Sequence, residues 1–184
     1  YGLGPKPETM CGFTHFKNFC FNGEFPIAKV NFNDDAFPAD VKLTAFNPFI
    51  PCDEDNSSIS AAFFEIEIHN TENEEIEYQA ALSVANPFEK SANAVEEKNG
   101  YKILKLYNAG ADKSDIGYGD LSVATNCPEA YTQTYWYRRG WQDSVVTFWN
   151  DFHKNDVLKE RKYDDFGSFD TGSVATKIKI KANQ

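Results

Sequence analysis

An alternation of apolar and polar residues with a period of two limits what this chain can fold into more than any other feature. Phe64, Ile66 and Ile68 oppose Glu65, Glu67 and His69, and Ile76, Tyr78, Ala80, Leu82 and Val84 continue it beyond the polar turn "NTENEE". Successive side chains of a strand point to opposite faces, so such segments read as half-buried strands, and these two predict a hairpin. Ala28, Val30 and Phe32 against Lys29 and Asn31 predict another strand, as do Val41, Leu43 and Ala45 against Lys42 and Thr44. Further candidates are residues 101–108, 119–125, 133–138 and 173–182. In the last, Val174, Thr176, Ile178 and Ile180 share a face while Lys177, Lys179 and Lys181 face water and would guard a sheet edge.

One segment has a different period. In "WQDSVVTFWNDFHKND" the residues Trp141, Val145, Phe148, Trp149 and Phe152 fall on one helical face, which predicts an amphipathic helix near residues 141–154. Many short strands without βαβ alternation then predict a mostly β chain, an antiparallel β-sandwich with one helix. Residues 86–100 and 159–173 are polar and read as surface loops. The 184 residues suit a single domain, since a chain of this length hides roughly 70% of its unfolded surface.

Charge and composition narrow the function. A formal net charge of −10 offers no basic stripe for phosphates, so nucleic acid is not an expected partner. No run of about 18 apolar residues predicts a transmembrane segment. Cys11, Cys20, Cys52 and Cys127 form no C-x-x-C pair, and His15, His69 and His153 are far apart, so no zinc motif is present. The four cysteines suit free thiols in a reducing compartment, which favours the cytoplasm, with one or two disulfides as the alternative.

Three stretches invite a chemical reading. In "CDEDNSS", Asp53, Glu54 and Asp55 resemble a hard-cation loop but lack the glycine and distal glutamate of the twelve-residue calcium loop, so a solvated acidic turn is preferred. Adjacent carboxylates on a loop are also poorly placed for glycoside hydrolysis, which needs two carboxyls about 5–10 Å apart across a bond. "YWYRRGW" sets Tyr135, Trp136, Tyr137 and Trp141 around Arg138 and Arg139, as a sugar platform or, preferably, as core or interface. As a strand it would turn Tyr135 and Tyr137 one way and Trp136 and Arg138 the other. "YGLGPKPETMCGFTHFKNF" has glycines without the strand–helix context of a phosphate loop and reads as irregular, tied down by Phe13, Phe16 and Phe19. No catalytic, cofactor-binding or metal-binding constellation emerges, and no cofactor is expected.

The "EFP" at residues 24–26, Phe37-Pro38, "AFNPFIP" (45–51), the acidic turn closed by Ser57 and Ser58, and "AAFFEIEI" (61–68) come in a characteristic order. "YGDLSVAT", "YWYRRGW" and "FWNDF" follow. Together they resemble the N-terminal domain of glycoside hydrolase family 116, the family of bile-acid β-glucosidase or non-lysosomal glucosylceramidase. The resemblance implies a β-sandwich packed on a separate (α/α)6 barrel that carries the nucleophile and the general acid/base. It also implies that residues 1–184 are a fragment of a larger enzyme, lacking that barrel and the first N-terminal strands.

The expected function is therefore that of a non-catalytic module supporting the catalytic domain of a retaining β-glycosidase, inactive alone. β-Glucoside or glycolipid substrate would be met through the barrel. Phe49, Ile50, Trp136 and Trp141 are the candidates for domain interface or sugar contact. The alternatives are an independent carbohydrate-binding module using Trp136 or Trp141, and a protein-interaction sandwich.

Overall fold

The computed structural model describes residues 10, 13–138, 143–154 and 158–184. The chain divides into two compact units, one made of Thr14–Tyr78 with Lys179–Gln184, the other of Tyr1–Phe13 with Gln79–Ile178.

The first unit holds a four-stranded sheet in the order β1 (Asn18–Glu24), β2 (Ile27–Asn33), β3 (Ala39–Phe46) and β4 (Phe63–Asn70), with each neighbouring pair antiparallel. Strands β2 to β4 follow the alternation in the sequence. β1 begins at Asn18 and Phe19, the last two residues of the segment expected to be irregular, and Phe19, Phe21 and Gly23 alternate with Cys20 and Asn22 as a strand requires. Phe16 does tie this segment down, its ring 5.1 Å from those of Phe32 and Phe37. Phe19, in contrast, is exposed.

The core of this unit gathers Ala39, Tyr78 and Ile180, with Val41, Ile68 and Ile76 packed against them. Beside it, buried Asn70 donates from Nδ2 to the carbonyls of Glu74, Ile180 and Lys181 at 2.8, 3.1 and 3.1 Å. Its Oδ1 accepts the Glu72 N–H, and the Tyr78 hydroxyl lies 2.9 Å away.

This arrangement overturns the hairpin expected over residues 64–84. β4 pairs with β3, whereas β5 (Ile76–Ala85) pairs with β10 (Thr171–Ile180). The physical reason is the turn: Asn70 ties the end of β4 to the end of β10, so the chain leaves the four-stranded sheet there instead of folding back along it.

In the second unit β10 is the middle strand of a three-stranded sheet ordered β5-β10-β9, with β9 at Ala130–Gln133. A second three-stranded sheet runs β6 (Ser91–Lys98), β7 (Tyr101–Asn108), β8 (Asp120–Thr125), antiparallel throughout. The sheets face each other across Leu104, Leu106 and Val174, with Val84 and Val123 alongside. Burying each such side chain stabilises by about 1.5–3 kcal/mol. The opposite face of β10 meets helix α2 (Asp143–Lys154) through Ala175, Val145, Phe148, Trp136 and Leu158. The fold is an antiparallel β-sandwich carrying one amphipathic helix, as the patterning implied.

Three sequence expectations fail here. Residues 86–100 are not a loop: they contain β6, joined to β7 by a two-residue turn whose Asn99 and Gly100 have φ of 53° and 80°. Both residues of a type I′ hairpin turn need positive φ, and Asn-Gly supplies it at least cost. Residues 134–138 are not a strand, because β9 ends at Gln133. Nor is β10 an edge, although β9 pairs with it only over Ser173–Thr176, so Lys177 and Lys179 lie past the end of that ladder. The expected loop at 159–173 holds as far as Asp170.

Asp34 fixes the stretch leading into β1. Its carboxylate accepts the backbone N–H groups of Ala36 (3.0 Å) and Lys17 (3.1 Å), with the Lys17 ammonium 3.8 Å away. These bonds, the Ala36 one foremost, hold it below the usual carboxylate range. A lowered folded-state value contributes stability above the unfolded value near 3.9 that is lost as pH falls through the lower one. Urea melts from pH 7 down to pH 2.5 should show stability falling below about pH 4, and Asp34→Asn should flatten part of that decline.

Candidate functional site

Register sets three apolar rows on one face of the four-stranded sheet, next to a row in which Ala39 pairs with Asn70. Phe19, Phe32, Val41 and Ile68 form one row across the strands. Phe21, Val30, Leu43 and Ile66 form the next, and Gly23, Ala28, Ala45 and Phe64 the third. The other face carries Lys29, Asn31, Lys42, Glu65, Glu67 and His69, with an ion pair between Lys42 and Glu67 at 2.6 Å. Alternation of this kind normally means that one face is covered. Here Phe19, Phe21, Phe64 and Ile66 remain 70%, 63%, 59% and 52% exposed.

At one end of the sheet, residues 47–61 hold the acidic run. Asn47 Nδ2 donates to the carbonyls of Ile59 and Ala61, and Ser57 Oγ accepts the Ile50 N–H and donates to the Ile50 carbonyl. Asp53 caps a single helical turn, α1 (Glu54–Ser57), by accepting the Asn56 N–H. The Asn56 side-chain amide and this N–H together lower the Asp53 pKa. The acidic run is thus a capped turn, and the carboxylate works as a cap. What the loop offers outward is apolar: Phe49 and Ile50 are half-exposed, and the Phe49 ring lies edge-on against Phe25 at 5.1 Å. Phe25 precedes Pro26 across a cis peptide bond in the β1–β2 turn.

The second unit gathers the aromatic–arginine stretch around one ion pair. Arg138 meets Asp170 in a bidentate fork, Nε to Oδ1 and Nη2 to Oδ2, both 2.7 Å, and Nη1 reaches Asp165 at 3.0 Å. Its guanidinium lies 4.1 Å from the Tyr163 ring centroid and 5.0 Å from that of Tyr135. Tyr135 and Arg138 therefore share a side, against the expectation of opposite faces, because residues 134–138 are not extended into the sheet. Burial works against the arginine's charge, but the Asp170 hydrogen bonds and charge, with Asp165 and Tyr135, outweigh it and raise its pKa. Asp170 also accepts the Ser91 hydroxyl at 2.7 Å. Beside this pair is a cavity of about 870 Å³, lined among others by Ser83, Trp136, Arg138, Phe169 and Thr171.

Trp136 is 7% exposed, with Phe148 stacked on it at 4.5 Å and its indole N–H donating to Ser173 Oγ at 2.7 Å. Its ring belongs to the helix-side core and also contributes to the cavity lining. Trp136→Phe should cost about 2 kcal/mol in a denaturant melt, from lost volume and the lost hydrogen bond. Trp141 and Arg139 lie outside the described residues, as does Cys11. Cys20, Cys52 and Cys127 are free thiols. Among the described residues no group of three or more His, Cys, Asp or Glu side chains is placed to hold a metal ion, and no helix is long and apolar enough to cross a membrane. Sequence reasoning missed the Arg138–Asp170 pair, since 32 residues separate its members.

Sheets and helix together define a mostly β, antiparallel sandwich-like class of protein. The family model described as beta-glucosidase 2, glycosyl-hydrolase family 116 N-term, matches residues 6–184, and the chain belongs to that N-terminal domain family. No curated protein matches the chain.

Proposed function

We propose that residues 1–184 act as one non-catalytic N-terminal module of a β-glucosidase or glucosylceramidase-like enzyme. The module supports a separate (α/α)6 catalytic barrel, which would hydrolyse β-glucosides with retention using two carboxylates of its own. In support of a single module, the family match runs through both compact units without a break. The observation that carries the supporting role is the loop of residues 47–61. Its backbone is pinned by Asn47 and Ser57 while Phe49, Ile50 and the adjoining Phe25 stay exposed. A pre-ordered apolar tip loses little conformational entropy on docking, which is what an interdomain contact needs. The acidic turn beside it forms a solvated rim.

The test compares this chain with a longer polypeptide that includes the barrel, both incubated with an aryl β-glucoside. Only the longer one should release the aglycone. Measurable turnover by residues 1–184 alone would sink the proposal. In the longer enzyme, Phe49→Asp with Ile50→Asp should lower the thermal midpoint of the barrel, and an unchanged midpoint would remove the loop from the interface.

A further inference from the structure

We propose that the cavity beside Arg138 and Asp170 is a binding site for one neutral sugar ring, a hexopyranose. It lies within the second unit and stands whether or not the Phe49–Ile50 loop meets a barrel.

Size and walls come first. A volume of about 870 Å³ falls inside the roughly 300–1,000 Å³ of small-molecule sites. Residues 168–171 form one wall, and their backbone is pinned: the Asp170 carbonyl accepts the Asn86 N–H at 2.7 Å, and the Thr171 carbonyl accepts the Trp136 N–H at 2.8 Å. In this stretch Phe169 takes a φ of 55°, a left-handed conformation that a bulky side chain rarely adopts, and its ring is 56% exposed. Such strain persists only where the surroundings impose it, and it concentrates at ligand clamps. It sets an open aromatic ring beside the cavity, a surface suited to the C–H face of a pyranose.

The polar groups set the ligand class. Among the described lining residues the charged ones are Arg138 and Asp170, and their fork cancels one charge against the other. The cavity therefore offers an ionic ligand no unbalanced partner, and a chain of formal charge −10 repels anions. What remains is hydroxyl. Ser168 and Thr171 line the cavity without a side-chain hydrogen bond to any described residue. Ser83 lies 2.7 Å from Ser173, whose Oγ accepts the Trp136 indole N–H. Ser173 can then pass its own proton to Ser83, which leaves the Ser83 O–H free to donate to a ligand. Hydroxyls that both donate and accept, set beside an aromatic ring, match a ligand with apolar C–H faces and hydroxyls at its rim.

Nitrogen–proton correlation spectra of the labelled chain, titrated with D-glucose, D-galactose and D-glucuronate, read the outcome. The Trp136 indole N–H should shift saturably with at least one of the two neutral sugars at millimolar concentration, the affinity a ligand of this size reaches. Glucuronate, the same ring with a carboxylate, should bind about 5-fold more weakly or worse. Phe169→Gly relieves the left-handed backbone, so it should keep or raise the thermal midpoint while weakening sugar binding by about 5-fold or more. Thr171→Val keeps the shape and removes a hydroxyl, for a loss of about 3–10-fold. Phe166→Ala, at an exposed ring outside the lining, should leave binding unchanged. Should Phe169→Gly lower the midpoint, Thr171→Val carries the test. A Trp136 indole signal that neither neutral sugar moves overturns the proposal. So does binding that survives both lining changes, or glucuronate binding the tighter.

Discussion

Arg138→Met is expected to destabilise the chain by about 3–5 kcal/mol and to lower the thermal midpoint by roughly 10 °C. The reason is what it leaves behind. The Asp170 side chain is 5% exposed and faces the Arg138 fork on one side and the Ser91 hydroxyl on the other. Without the guanidinium, a buried carboxylate keeps one neutral donor and loses its counter-charge. Two controls sharpen the expectation. Arg138→Lys should recover only part of the loss, since an ammonium cannot reproduce the planar two-bond fork or the stack on Tyr163. Arg138→Met combined with Asp170→Asn should be more stable than the single change, because the amide removes the orphaned charge. A single variant as stable as wild type in a guanidinium melt would show the pair to be dispensable.

Asn70→Ala should cost a comparable amount, about 3–5 kcal/mol. Each buried polar group left without a partner costs about 1–3 kcal/mol, and three carbonyls, the Glu72 N–H and the Tyr78 hydroxyl all turn to this one amide. The Tyr78 hydroxyl keeps its contact with the Pro38 carbonyl at 2.6 Å, so the losses are not fully additive. Asn70→Asp separates hydrogen bonding from volume. At pH 7 its carboxylate would face three carbonyl oxygens and destabilise at least as strongly. Protonation supplies one donor, so its deficit relative to wild type should shrink as pH falls. Hydrogen exchange should show the loss first at the ends of β4 and β10.

The parts of the fold that were legible in the sequence are those where one face meets a core and the other meets water. β7 and α2 follow their periodicity nearly to the residue because burial is one-sided there, and β3 and β4 follow it too, although Phe64 and Ile66 stay exposed. β6 was hidden because Ser91, Ala92 and Asn93 are all buried, so nothing alternates over its first half. Asn99-Gly100 was a readable hairpin signal, but it stood at the end of a stretch whose composition resembled a loop. The false hairpin at residues 64–84 had a different cause. Alternation identifies strands but not their partners, and the partner of β5 lies about a hundred residues onward. At the candidate site, Phe49 and Ile50 could be read from a Pro-bounded apolar loop. The uncovered sheet face could not, since its apolar residues carry the same pattern as a covered one.

Strand β10 has a consequence of its own. From Gly172 to Ala175 four consecutive residues are buried, Val174 in the core between the sheets and Ala175 beneath the helix. A slip of one residue in either direction would exchange those positions, putting a branched side chain where the Trp136–Phe148 stack leaves room for a methyl and hollowing the core around Leu104. The strand thus works as a register lock that both cores read at once. Substitution scanning should find intolerance there at four positions in a row, where an ordinary surface strand shows it at every second one.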